Sequence, residues 1–120
     1  MDDIERKQLY NAAWEHWGSI MQMDILIEEM SELIRAIIKA RRNNTFYTYA
    51  LSEEMADVLI CLEQLETRMR DFHTVDTSDS SNPKINGCLF DQVEMIKDQK
   101  LNRLKERLMQ SVAHKMEVGD

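Results

Sequence analysis

Glu29 and Glu32 stand three residues apart in the segment IEEMSELIRAI, and Glu54 and Asp57 stand three apart in SEEMADVLICL. Residues at that spacing lie on neighbouring parts of one helical face. Each pair therefore aims two carboxylates at a common point. Two such helices packed together gather four carboxylates, which repel one another unless a cation sits among them. An oxygen-only donor set selects a hard ion, Mg2+ with Mn2+ as a substitute, over zinc. Such an ion lowers the pKa of a bound water and neutralises phosphate charge. A carboxylate not fully used as a ligand is then free to take the water's proton.

Helical phase sharpens this. At about 100° per residue, Val58, Leu62, Leu65 and Met69 fall within a quarter-turn of Glu54, which places Glu54 in or at the edge of an apolar arc with Asp57 at its margin. Glu53 points away, as ordinary solvated charge. Ionised carboxylates are rarely buried without a partner. The plainer alternative is pairing with Lys or Arg from another helix, but a structural pair does not need doubling at the same spacing. On the first acidic segment, Glu29 borders an arc made of Leu33, Leu26, Ile37, Met30, Ile34 and Ile38. Glu28 stands as an outer ligand, a group behind the ligands or a bystander, and phase alone does not choose.

The elements that must position these groups read as four helices. The first runs from about Asp3 to Trp17, with Asp2 or Asp3 as N-cap and Gly18 as terminator. The second runs from about Ile20 to Arg42 and ends at Asn43-Asn44. An aromatic stretch, Thr45 to Tyr49, leads to a third from about Ala50 to Phe72, capped by Thr48 or Ser52. A loop from His73 to Gly87 carries the one proline, Pro83. The last helix runs from about Leu89 to Met116, with a stripe of Leu89, Val93, Ile96, Leu101, Leu104 and Leu108. That stripe exceeds what one small chain covers, so a homodimer or homotetramer is expected. Met30, Met55 and Met69 read as flexible core filler on the apolar arcs.

Composition sets limits. A chain of 120 residues is expected to form a single domain over 1–120. At 43% hydrophobic it has material for a core. A formal charge of −7 opposes binding of a nucleic acid polymer, which needs a basic footprint. No apolar run approaches membrane-spanning length, so no membrane partner is expected. The start, MDDIERKQLY, lacks the basic and apolar regions of a signal peptide. Two cysteines, Cys61 and Cys88, form no disulfide framework or zinc pattern, and a cytoplasmic location follows as the expectation.

The pattern EExxE followed by ExxD, on two helices of an all-α chain, resembles the MazG-like nucleoside triphosphate pyrophosphohydrolases of the all-α NTP pyrophosphatase superfamily. The matching text is Glu28-Glu29-Met30-Ser31-Glu32-Leu33 and Glu54-Met55-Ala56-Asp57-Val58-Leu59. The similarity extends upstream through Trp17-Gly18 and Gln22, and more loosely downstream to Lys100 and Arg103-Leu104. A lone ExxE is common on charged helices, whereas the two-part motif with its apolar flanks is fairly specific.

The resemblance implies an all-α, four-helix bundle completed by homo-oligomerisation. It implies a nucleoside triphosphate substrate and a hydrolase that converts (d)NTP and water to (d)NMP and pyrophosphate, by attack at the α-phosphorus. The carboxylates by themselves do not reveal which phosphorus is attacked. Glu29, Glu32, Glu54 and Asp57 would be the Mg2+ ligands and catalytic residues. Lys100 and Arg103, with Lys97 nearby, match a basic patch that contacts phosphates in relatives; the alternative is solvated charge on a terminal helix. Cys61, one turn after Asp57, is expected to line the nucleotide pocket, where some relatives carry an aromatic residue. Trp17 is a further substrate-binding candidate. Trp14, Phe46, Tyr47 and Tyr49 are also near enough in sequence to stack on a base, and His16 reads as a surface residue.

Two rival functions are distinguishable. A carboxylate di-iron bundle uses Glu-x-x-His pairs, and none of His16, His73 or His114 has Glu three residues before it. A non-catalytic helical oligomeric nucleotide-binding module would keep the fold without turnover, and the intact set of four acids opposes it.

Overall fold

The computed structural model describes residues 1–45, 48–71 and 88–118. Four α-helices account for 92% of them, with no strand among the described residues: α1 (Asp3–Trp17), α2 (Ser19–Arg42), α3 (Tyr49–Asp71) and α4 (Leu89–Val118). The all-α expectation holds. Phe46, Tyr47, Phe72 and the 73–87 loop with His73 and Pro83 lie outside the described residues.

Each boundary has a local cause. α1 opens on a capping box in which the Asp2 carboxylate accepts from the Glu5 backbone N–H at 2.8 Å and Glu5 accepts from the Asp2 N–H. It stops at Gly18, whose φ of +88° takes the chain out of the helix while its N–H still reaches the Trp14 carbonyl. α2 ends in a Schellman arrangement. Asn44 turns left-handed at φ 55°, the Thr45 N–H bonds the Ala40 carbonyl, and the Asn44 N–H bonds the Arg41 carbonyl. Asparagine is among the few residues besides glycine that tolerate this conformation. At the start of α3 it is Thr48, rather than Ser52, that caps, its hydroxyl accepting from the Leu51 N–H at 3.2 Å.

The chain divides into two compact units, Met1–Met69 and Arg70–Asp120. In the first, the buried apolar residues are Tyr10, Leu26, Ala40 and Val58, joined by buried Gln22 and Thr67. Gln22 is tied to α1 by donating to the Ala13 carbonyl at 3.3 Å. α1 meets α3 through Tyr10, whose hydroxyl donates to Glu63, through Arg6 at 3.9 Å from the same carboxylate, and through Arg68, which lies 5.5 Å over the Trp14 ring. In the second unit Arg70 pairs with Glu94 at 2.7 Å and lies over the Phe90 ring, and the Cys88 N–H donates to Asp91 at the head of α4. No α4 residue is buried.

One expectation about α2 is corrected. The arc of Leu26, Met30, Leu33, Ile34, Ile37 and Ile38 is not the buried face. Leu26 is buried and Leu33 half-buried, but Met30, Ile34, Ile37 and Ile38 are exposed, as is Ile27. The inward face instead follows Gln22, Ile25, Leu26, Glu29, Leu33, Ala36 and Ala40. The apolar arc of α2 is wider than its neighbours can cover, and the part that turns inward is the part with the smaller side chains and the acids. For the same reason Met30 and Met55 are not core filler within the chain but about half exposed, whereas Met69 is half-buried.

Candidate functional site: a carboxylate centre with two openings

α2 and α3 bring the two acidic pairs together. Glu29, Glu54 and Asp57 are each half-buried and offer ligand oxygens that all lie within 4.8 Å of one another. Glu32, also half-buried, stands outside that tight group, but its charge helps to raise both Glu29 and Glu54. All four sequence candidates therefore converge, as the i, i+3 spacing on two facing helices requires. Glu28 and Glu53 are exposed.

The electrostatics follow from this crowding. Glu29 is held above the ordinary carboxylate range, first by loss of solvent and then by the charges of Glu32, Asp57 and Glu54. Glu54 is raised for the same reasons, with desolvation first and Glu32 and Asp57 next. One oxygen of Glu29 and one of Glu54 are buried with no hydrogen-bond partner among the described residues. Buried oxygens of this kind carry a desolvation cost that no hydrogen bond among the described residues offsets. A hard divalent cation is the group that fits them: it accepts an all-oxygen donor set and neutralises the repulsion.

Two openings flank the centre. One is a cleft of about 470 Å³ lined by Trp17, Met21, Gln22, Ile25, Glu29, Asp57, Ile60, Cys61 and Gln64. Trp17 and Cys61 both line it. Trp17 is about half exposed, with His16 edge-on to it at 5.1 Å and itself exposed. The Cys61 thiol is pushed up by burial and by the Glu29 and Asp57 charges, which keeps it protonated and a weak hydrogen-bond donor. Trp14 is half-buried under Arg68, and Tyr49 is exposed and lines neither opening. Phe46 and Tyr47 lie outside the described residues.

The other opening is a cavity of about 900 Å³ whose wall includes Glu32, Glu54, Arg35, Lys39, Arg42, Thr45 and Thr48. Its three cations had no place in the sequence reading. The signal was present: Glu28, Glu32, Arg35, Lys39 and Arg42 follow one another at steps of four and three, which is one helical stripe. Lys97, Lys100 and Arg103, the cations that were singled out, are exposed on α4 in the second unit. Lys97 and Lys100 border a shallow groove there with Val93, Ile96, Leu101 and Leu104.

Among the described residues no helix is long and apolar enough to cross a membrane. Comparison with known proteins adds one positive finding. The family model for the MazG nucleotide pyrophosphohydrolase domain matches residues 19–86, which include both acidic pairs. No curated protein and no solved structure matches the chain.

Proposed function

The chain belongs to the MazG nucleotide pyrophosphohydrolase family, and on that premise we propose that it hydrolyses a (d)NTP to the (d)NMP and pyrophosphate in a Mg2+-dependent reaction, with Mn2+ as a substitute. The observation that carries this reading is the convergence of Glu29, Glu54 and Asp57 with two buried oxygens lacking partners. Glu29, Glu32, Glu54 and Asp57 would hold the ion, which when bound would supply charge neutralisation on the phosphates and an acidified water. Whichever carboxylate is least engaged as a ligand accepts the proton of the water attacking the α-phosphorus.

The Trp17 and Cys61 cleft suits the nucleoside. It is mostly apolar, offers an aromatic face for stacking, and carries Gln22 and Gln64 as amides for hydrogen bonding. Lys100 and Arg103 are proposed as phosphate contacts on the strength of the resemblance. The family match crosses the division between the two units and ends at residue 86, and a single domain over 1–120 is proposed with it. Met23, Ile27, Met30, Ile34 and Ile37 form an exposed apolar seam on α2 at steps of four and three, and Leu101, Leu104 and Leu108 are exposed on α4. These stripes support a homodimer or homotetramer. Cys61 and Cys88 are free thiols, which suits the cytoplasm.

The test is pyrophosphate release from a panel of deoxynucleoside triphosphates with Mg2+. Stoichiometric monophosphate and pyrophosphate are expected from the wild type and almost none from Glu54→Gln. Binding without turnover would replace the enzyme with a nucleotide-binding module.

A further inference from the structure

The ordinary role of such residues does not account for all the cations lining the larger cavity. Lys and Arg near a helix C-terminus commonly offset the helix dipole, an effect confined to the last turn. Lys39, Arg41 and Arg42 lie in the last turn of α2, but Arg35 does not. Arg41, which is as well placed for the dipole as its neighbour, does not line the cavity, whereas Arg35, Lys39 and Arg42 do. Among the described residues, these three make no ion pair. Their stripe begins one turn after Glu32 and runs for roughly 15 Å from it to Arg42 at 1.5 Å per residue. The opposite wall is the start of α3, with Thr48 and Ala50, where backbone N–H groups and the positive end of the helix dipole favour an anion.

The two openings thus differ in chemistry while sharing one carboxylate centre. Glu29 and Asp57 face the aromatic cleft, and Glu32 and Glu54 face the basic cavity. We propose that the cavity formed by Arg35, Lys39, Arg42 and the N-terminus of α3 is the binding site for the β,γ-diphosphate of the substrate, and afterwards for the leaving pyrophosphate. The assignment rests on the hydrolase reading above and deepens it. It fixes the direction of the substrate, with the nucleoside on the Trp17 side of the carboxylates and the diphosphate on the Arg35 side. Cations there stabilise negative charge as it develops on the leaving group. Departure balances: the water oxygen bonds to the α-phosphorus as a carboxylate of the centre takes its proton, the bond from the α-phosphorus to the α–β bridging oxygen breaks, and its electron pair stays on that oxygen and leaves with pyrophosphate.

The experiment is direct binding of inorganic pyrophosphate in the presence of Mg2+, measured by calorimetry on the full chain. Arg35→Gln with Lys39→Gln is expected to weaken binding at least tenfold. It should also raise KM for the triphosphate, with inhibition by the monophosphate product unchanged. Arg41→Gln, which removes the same charge from the same helix outside the cavity, should match the wild type. Lys39→Glu alone provides a second reading should the double variant fold poorly. Pyrophosphate affinity within twofold of wild type in folded Arg35→Gln/Lys39→Gln would overturn the assignment. Because binding needs no turnover, the two readings fail separately. A wild type inert towards every triphosphate, yet binding pyrophosphate through Arg35 and Lys39, would sink the hydrolase and leave the anion site.

Discussion

The first unit holds two half-buried acidic groups that differ in one respect. Glu63 on α3 is satisfied: the Tyr10 hydroxyl donates to it and Arg6 lies 3.9 Å away. Glu29 and Glu54 each bury an oxygen that has no partner among the described residues, with further acids around them and no ion pair. Glu63 and Asp57 lie on the same helix less than two turns apart, so the contrast arises from what faces them. A paired carboxylate joins helices. An unpaired cluster is destabilising until something outside the chain completes it.

The largest test of this contrast is activity. Glu54→Gln and Asp57→Asn remove ligand charge with little change of shape, and each should lower kcat/KM by on the order of 100-fold or more. Glu63→Gln should leave turnover close to wild type. Comparable losses at Glu63 and Glu54 would erase the distinction.

Metal dependence of stability should separate the two regions next. An ion that binds the folded centre and finds no preformed site on the unfolded chain stabilises by about 2.7 kcal/mol when free ion is 100 times Kd. Tm should rise with Mg2+ or Mn2+ in the wild type and in Tyr10→Phe, but not in Glu29→Gln/Glu54→Gln. NaCl at matched ionic strength should not reproduce the rise.

Tyr10→Phe should cost about 1–2 kcal/mol, the scale of a hydrogen bond to a charged acceptor, reduced because Glu63 is partly in water. Chemical denaturation measures this, and no loss would mean that the contact is incidental.

The pH dependences should run in different windows. In metal-free protein, Glu29 and Glu54 have folded pKa values above their unfolded ones. The stability tied to their neutral forms is complete below the ordinary carboxylate range and is lost as pH rises through the raised values. Chelated protein should therefore melt higher as pH falls from neutral towards that range, and the gain from metal should shrink in step. Tyr10 is pushed up from 10.0 to about 12, by burial first and then by Glu63. Its contribution is complete below the unfolded value and is lost as pH climbs from 10.0 towards about 12. Smallest of all, Glu53→Gln at an exposed position should change stability by no more than about 0.5 kcal/mol and leave activity intact.

Much of the molecule was legible before its structure. The helices could be placed because their stops are chemical: Asp2 with Glu5, Gly18, Asn43-Asn44 and Thr48 act on their own neighbours in the chain. The four carboxylates were legible because i, i+3 spacing commits a side chain to a face whatever the helix packs against. Burial was less so. The apolar arc of α2 includes more residues than its neighbours cover, and periodicity does not say which part turns inward. Only packing selected Gln22, Leu26 and Ala40 and left Met30, Ile34 and Ile37 outside. The Tyr10–Glu63 contact joins residues far apart in sequence, and no local pattern announces it. Arg35, Lys39 and Arg42 read as a solvated stripe until the start of α3 supplied the opposite wall of their cavity. The sequence by itself determined which groups share a helical face, because that depends on spacing alone. The tertiary structure decided which faces meet, and so which charges are paired and which are left open to a ligand.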